Sequence, residues 1–267
     1  MSAGGLSGND GDVSEERAPF MTAPRLAEVP GLVHGFGDAR WSEADFLAFA
    51  ASRGLRPVVM RQVHSDAVLR LDAAPEGRPE ADGLMTDVPG LLLVVRTADC
   101  LPVLLADAAN RAVAAVHCGW RGTEQRILEK AVRAMGEAYG SRPREMRAAL
   151  GPCIGAACYE VGPEVREGFL RAGFPPFVFT ETRETGGGTG TRGRGTCTSG
   201  TCPRIEARWL LDLRGANLWL LRELGFAAAS VLDAGPGCTR CEPSLLSYRR
   251  DPADPRRMYN FIGLRVI

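Results

Sequence analysis

Three short apolar runs stand close together near the middle of the chain: Leu91–Val95, Pro102–Ala106 and Ala112–His117. None shows helical spacing, and the first follows the turn signal Asp87-Val88-Pro89-Gly90, so all three read as buried strands. The polar segment Arg96-Thr97-Ala98-Asp99-Cys100 divides the first two. The third ends in a polar-aromatic turn, Cys118-Gly119-Trp120-Arg121-Gly122. A helix is predicted to start near Thr123 as N-cap, with Ile127, Leu128, Ala131, Val132 and Met135 on its apolar face. Leu211–Leu224 reads as a second amphipathic helix, capped by Asp212 or begun just after it. The mixture of strands and helices predicts an α/β or α+β class. With 267 residues and 45% hydrophobic residues, a single domain can bury a substantial core.

Residues 1–20 are rich in Gly, Ser, Asp and Glu and are expected to form a disordered tail. Residues 21–267 are expected to form one catalytic domain, with a flexible Gly-rich insertion at 181–204. The 32 basic and 32 acidic residues balance, which removes the main electrostatic reason to expect nucleic acid or an anionic membrane as partner. A small anion site needs only a few arginines and stays open. No apolar run reaches the roughly 18 residues that span a bilayer. The polar, acidic start lacks a signal-peptide pattern, so a cytoplasmic location is expected. There the eight cysteines are thiols or metal ligands before they are disulfides.

The chemistry centres on His64, Cys100 and His117. The stretch Val58–Asp66 is strand-like and puts His64 at or near a strand end. His117 closes a strand, and Cys100 lies in the polar break between two others. Separations of 36 and 17 residues are too long for a zinc finger but fit ligands gathered from different strands. Two imidazoles and a thiolate suit one zinc and leave a fourth position for water or substrate. The same atoms allow a metal-free reading, with Cys100 as nucleophile, His117 as base, and Asp99 or another polar group orienting the histidine. A bland reading treats all three as ordinary strand-end and core residues.

Arg61, Arg96 and Arg121 flank the three residues in sequence and are the expected phosphate- or substrate-binding groups. Lys130 is the only lysine, however, so surface arginines are common here. Cys238-Thr-Arg-Cys241 has C-x-x-C spacing, and Cys197 with Cys202 would complete a four-thiolate site. Cys118, Cys153 and Cys158 read as thiols packed near the site. Gly188–Gly193 matches G-x-G-x-x-G but lies in low complexity with no helix after it, so a dinucleotide site is rejected.

Eight ordered blocks carry a resemblance. They include His34-Gly-Phe, Arg61-Gln-Val-His-Ser, Glu80-Ala-Asp-Gly-Leu-Met-Thr86, Arg96-Thr-Ala-Asp-Cys-Leu-Pro102 and Val116-His-Cys-Gly-Trp-Arg-Gly122. The others are Gly151-Pro-Cys-Ile-Gly155 with Cys158–Val161, Asp212-Leu-Arg-Gly-Ala-Asn217, and Cys238-Thr-Arg-Cys241 with Ser247-Tyr-Arg-Arg-Asp251. With these the chain resembles the YfiH/YlmD family, also called the multicopper polyphenol oxidase or laccase-domain family.

The resemblance implies a layered α/β sandwich with mixed sheets between helices, a YfiH-like, cysteine-hydrolase-type fold. It implies one zinc on His64, Cys100 and His117, with copper as the alternative ion. It implies purine nucleoside phosphorylase activity on adenosine, inosine and S-methyl-5′-thioadenosine, with adenosine deaminase activity beside it. The expected partners are then small nucleosides and phosphate. Asp99 and Asp82 are the candidate proton shuttles for deamination. Alternatives are a peptidoglycan-editing hydrolase, a copper-dependent polyphenol oxidase, or a non-enzymatic regulatory or scaffold protein with a structural metal. Three histidines in the whole chain cannot supply a multicopper cluster. The family usually has Ala where Cys118 stands, so an extra thiol is expected beside His117, able to compete for metal or be oxidised. The insertion looks longer and more Gly-rich than the family's.

Overall fold

The computed structural model of the chain describes residues 18–182, 208–233 and 237–266. Two mixed sheets carry the fold. The first runs in the order Phe20–Met21, Leu32–Gly37, Met258–Leu264, Leu91–Thr97, Arg56–Val59. The second runs Val231–Asp233, Met146–Leu150, Leu101–Asp107, Ala112–Cys118, Gly83–Thr86, Val68–Arg70. The three apolar runs are central strands, each longer than its apolar stretch. Arg96 and Thr97, for example, still pair with Tyr259 and Met258.

Alternation along the strands decides what each face meets. Leu91, Leu93 and Val95 share a core with Leu104, Ala106, Val113 and Ala115, so the two sheets face each other. Leu92 and Val94 point the other way, onto Phe46 and Ala50 of the helix Glu43–Ser52. Leu101, Val103, Leu105, Ala114 and Val116 point onto the helices Ile127–Tyr139, Pro163–Arg171 and Leu213–Glu223. The result is a layered α/β sandwich with mixed sheets between helices. No helix among the described residues is long and apolar enough to cross a membrane.

Three local expectations need correction. The helix expected from Thr123 is two helices, Trp120–Glu124 and Ile127–Tyr139. Thr123 is not a cap but lies buried inside the first, its hydroxyl accepting from Asn217 Nδ2 at 3.1 Å. The break falls at Arg126, which takes the left-handed φ of 60° while its guanidinium donates to the Ala172 carbonyl at 3.0 Å. The apolar face, Ile127 to Met135, is buried as the spacing predicts. The second predicted helix starts at Leu213, because Leu211 is still in the strand Arg208–Leu211. Asp212 caps it, Oδ1 accepting from the Gly215 N–H at 2.7 Å. Finally, Val58–Asp66 is strand only to Val59, so His64 lies in a loop with a φ of 60°. Most of the expected N-terminal tail (1–17) and of the insertion (183–204) lies outside the described residues.

Candidate functional site

The chain leaves one sheet at Thr97 and enters the other at Leu101. Asp99 makes this corner, with a φ of 96° that non-glycine residues rarely adopt. Its contacts hold it there. Oδ1 accepts from Thr239 Oγ1 at 2.6 Å, Oδ2 from the Arg249 N–H at 2.7 Å, and its carbonyl from the Ile154 N–H at 2.9 Å. Cys100 is thereby fixed at the seam between the sheets.

His117 shares its strand face with Val113 and Ala115, the face between the sheets, and its register partner is Pro102. Its backbone N–H donates to the Asp82 carbonyl at 2.7 Å, and ring Nδ1 bonds Asp82 Oδ1 at 2.8 Å. An ionised carboxylate only accepts, so Nδ1 carries the proton and Nε2 is the nitrogen left for a ligand. Asp82 is fully buried, yet its carboxyl lies at about 2. Burial pushes it up, but hydrogen bonds from His117 and Ser65 and the His117 charge outweigh that.

The same carboxylate builds the loop that presents His64. It accepts the N–H groups of Val63, His64 and Ser65 at 3.2, 3.1 and 2.7 Å, and the Ser65 hydroxyl at 2.8 Å. Gln62 pins that loop to the first sheet, donating to the Arg96 carbonyl at 2.9 Å and accepting the Arg96 N–H at 2.8 Å.

Thus His64, Cys100 and His117 are brought together, their ligand atoms all within 4.8 Å of one another. Gly119 leaves the space this needs. A Cβ there would lie 3.2 Å from Cys100 Sγ and 3.3 Å from His64 Cδ2. One thiolate and two imidazoles, one of them aimed by a carboxylate, fit a single zinc or copper ion. Burial opposes ionisation of Cys100, but the His117 charge and hydrogen bonds from His117 and His64 bring its thiol down to about 6. Burial likewise opposes charge on His117, while Cys100 and Asp82 raise it to about 9. A metal ion would displace the Nε2 proton and take over the thiolate.

Arg61, Arg96 and Arg121 all line one cavity of about 630 Å³ beside these groups. Arg78, Arg249 and Arg257 line it too, and sequence reasoning missed them. Arg249 stands in the block Ser247–Asp251 and had that much signal; Arg78 and Arg257 had none. Arg61 pairs with Glu80 and Arg78 with Glu43. Among the described residues the other four are in no ion pair. Arg96 Nε is buried without a hydrogen-bond partner, and the Arg121 guanidinium lies 4.4 Å from the Trp120 ring centroid. Asp99 is the one acidic residue among the lining groups, and both its oxygens are engaged. Both candidate proton shuttles are thus held in hydrogen bonds, Asp82 with His117 and Ser65 and Asp99 with Thr239 and the Arg249 N–H. Asp82, not Asp99, orients His117.

The remaining cysteines and His34 also find their places. Cys118 is fully buried and points to the helix side of its sheet, away from the metal donors. Burial and the nearby Cys100 charge push its thiol far up. The expected competition for metal fails on that geometry. Cys118→Ala is expected to leave zinc affinity unchanged within about twofold, as read by competition with a chromophoric chelator; a tenfold loss would contradict this placement. Cys153 is buried in the same core. Cys158 belongs to a different cluster, with Cys238 and Cys241. Cys197 and Cys202 lie outside the described residues. His34 is a core residue whose Nε2 accepts the Ala23 N–H at 2.9 Å, and burial holds it down to about 4.

A layered α/β protein with three metal-donor side chains at the seam of its sheets and an arginine-lined cavity beside them is of a class able to hold one metal ion. The family model described as multi-copper polyphenol oxidoreductase laccase matches residues 43–265, and the chain belongs to this family. It is 36% identical to a purine nucleoside phosphorylase of Deinococcus radiodurans over 82% of this chain and 73% of that protein. The crystal structure of Bacillus licheniformis hypothetical protein YfiH matches with a TM-score of 0.78 and 25% identity, over 93% of this chain and 98% of that one. YlmD from Geobacillus stearothermophilus matches with a TM-score of 0.76 and 27% identity, over 94% and 98%.

Proposed function

We propose that this chain is a zinc-dependent purine nucleoside phosphorylase, acting on adenosine, inosine and S-methyl-5′-thioadenosine. The observation that carries the reading is the set of four arginines that are in no ion pair among the described residues, Arg96, Arg121, Arg249 and Arg257, around a cavity that contains the His64, Cys100 and His117 donors. Guanidinium groups in such a place bind phosphate through charge-assisted hydrogen bonds. The buried, unpartnered Arg96 Nε is a donor waiting for an acceptor. Trp120, Tyr159 and Tyr248 add aromatic faces on which a purine can stack. Zinc, when bound, supplies Lewis acidity at the cavity wall. The chain's own residues orient phosphate and exclude water from the glycosidic bond.

Phosphate is already an anionic nucleophile and needs no carboxylate to deprotonate it. Deamination of adenosine uses water and a proton-carrying carboxylate. Because Asp82 and Asp99 are both committed, phosphorolysis is the main activity and deamination the minor one. A multicopper centre is disfavoured by the donors themselves: His34 is occupied in the core, which leaves two imidazoles.

The test incubates zinc-loaded protein with each nucleoside and inorganic phosphate and follows ribose 1-phosphate and free base. Arg121→Ala is expected to raise the KM for phosphate about 10- to 100-fold, the loss of one charge-assisted contact. Absence of turnover with all three nucleosides would defeat the assignment. Adenosine binding without turnover, seen as a thermal shift, would point instead to the regulatory alternative.

A further inference from the structure

Three cysteines that take no part in this site meet behind it. Cys158 ends the single helical turn Ala156–Cys158, and Cys238 and Cys241 flank the Cys-Thr-Arg-Cys turn. Their sulfurs lie within 4.8 Å of one another, and those of Cys158 and Cys241 are 3.4 Å apart although 83 residues separate them. A tetrahedral zinc with Zn–S bonds of ~2.3 Å needs its sulfurs ~3.8 Å apart. At 3.4 Å the Cys158–Cys241 pair is somewhat closer than that, and all three sulfurs are near enough to share one ion.

The backbone around it is firmly held. The N–H groups of Cys241 and Glu242 both donate to the Cys238 carbonyl, at 3.0 and 2.9 Å. Cys238 pairs with Cys153 in a parallel bridge, and the Thr239 N–H donates to the Cys153 carbonyl at 3.1 Å. Gly155 makes room for the sulfur, since a Cβ there would lie 3.4 Å from Cys238 Sγ. Cys241 is exposed among the described residues.

We propose that Cys158, Cys238 and Cys241 form a second metal site, taking one thiophilic ion of the Zn²⁺ class on three thiolates. Cys158 joins the Cys238–Cys241 pair, while Cys197 and Cys202 lie outside the described residues. The site has a structural use. Thr239, between two of the ligands, holds Asp99 at the corner that carries Cys100, and Tyr159, next to the third, lines the cavity. An ion here would lock the wall of the cavity without touching substrate. The inference stands apart from the proposed activity and survives if that fails.

The test strips the reduced full chain of metal, titrates it with zinc chloride against a chromophoric chelator, and counts zinc by elemental analysis. Two equivalents are expected for the parent and one for Cys241→Ser, whose exposed position spares the fold. His64→Ala is expected to bind one as well, at this second site. In that variant, zinc is expected to shield Cys158, Cys238 and Cys241 from iodoacetamide, read peptide by peptide in a mass spectrometer. One equivalent in the parent, unchanged by Cys241→Ser, would overturn the proposal. So would equal alkylation with and without zinc, or a Cys158–Cys241 disulfide that persists in the reduced chain.

Discussion

Asp82→Ala is expected to destabilise the chain by about 3–5 kcal/mol, the range for removing one partner of a buried charge pair. It also weakens zinc binding at His64, Cys100 and His117 about 10- to 100-fold, as loss of a carboxylate behind a histidine ligand does. The reason is that one buried side chain serves several partners. Its loss leaves the N–H groups of Val63, His64 and Ser65 and the Nδ1 of His117 without an acceptor. The pH dependence follows with a definite sign. Asp82 is held at about 2 against an ordinary 3.8, so its stabilisation is complete above 3.8 and is lost as pH falls through about 2. Thermal denaturation of metal-free parent and variant between pH 7 and pH 2 measures it. The gap in Tm is expected to narrow at the acid end, and a constant gap would reject the role given to Asp82.

Cys100→Ala is expected to remove the zinc held by His64 and His117 and to lower nucleoside phosphorolysis by at least ~10³-fold, or about 4 kcal/mol in transition-state terms. Zinc counting and ribose 1-phosphate formation report the two effects separately. A third readout does not depend on activity. In the metal-free parent the Cys100 thiolate persists as pH is lowered to about 6, because its folded value lies well below the ordinary 9.0. Its ultraviolet thiolate absorbance is therefore present at neutral pH and absent in the variant. Full turnover by Cys100→Ala would remove the basis of the proposed chemistry.

The contrast between Cys100 and Cys118 shows how such a site is and is not legible in a sequence. Cys100 precedes one strand and Cys118 ends the next, and both lie near His117. Strand alternation puts Cys118 among the helices, whereas Cys100 lies in the corner just before its strand, at the seam, so only Cys100 joins the metal donors. That rule was available from the sequence, yet applying it required knowing which face met the second sheet. Likewise the apolar face from Ile127 to Met135 was readable from spacing, while the left-handed break at Arg126 was not. Arg126 is held by a carbonyl 46 residues away.

The amino-acid sequence by itself determined the central strands and the helix faces, and it pointed to His64, Cys100 and His117 as candidate metal donors. Each of these depends on local periodicity or on residue chemistry that no partner can alter. Only the tertiary structure decided that Asp82 is the hub of the site, that six arginines share its cavity, and that Cys158 joins Cys238 and Cys241. These are meetings between segments far apart along the chain. They form only when two sheets close on each other, and no local pattern in the chain records where that seam will fall.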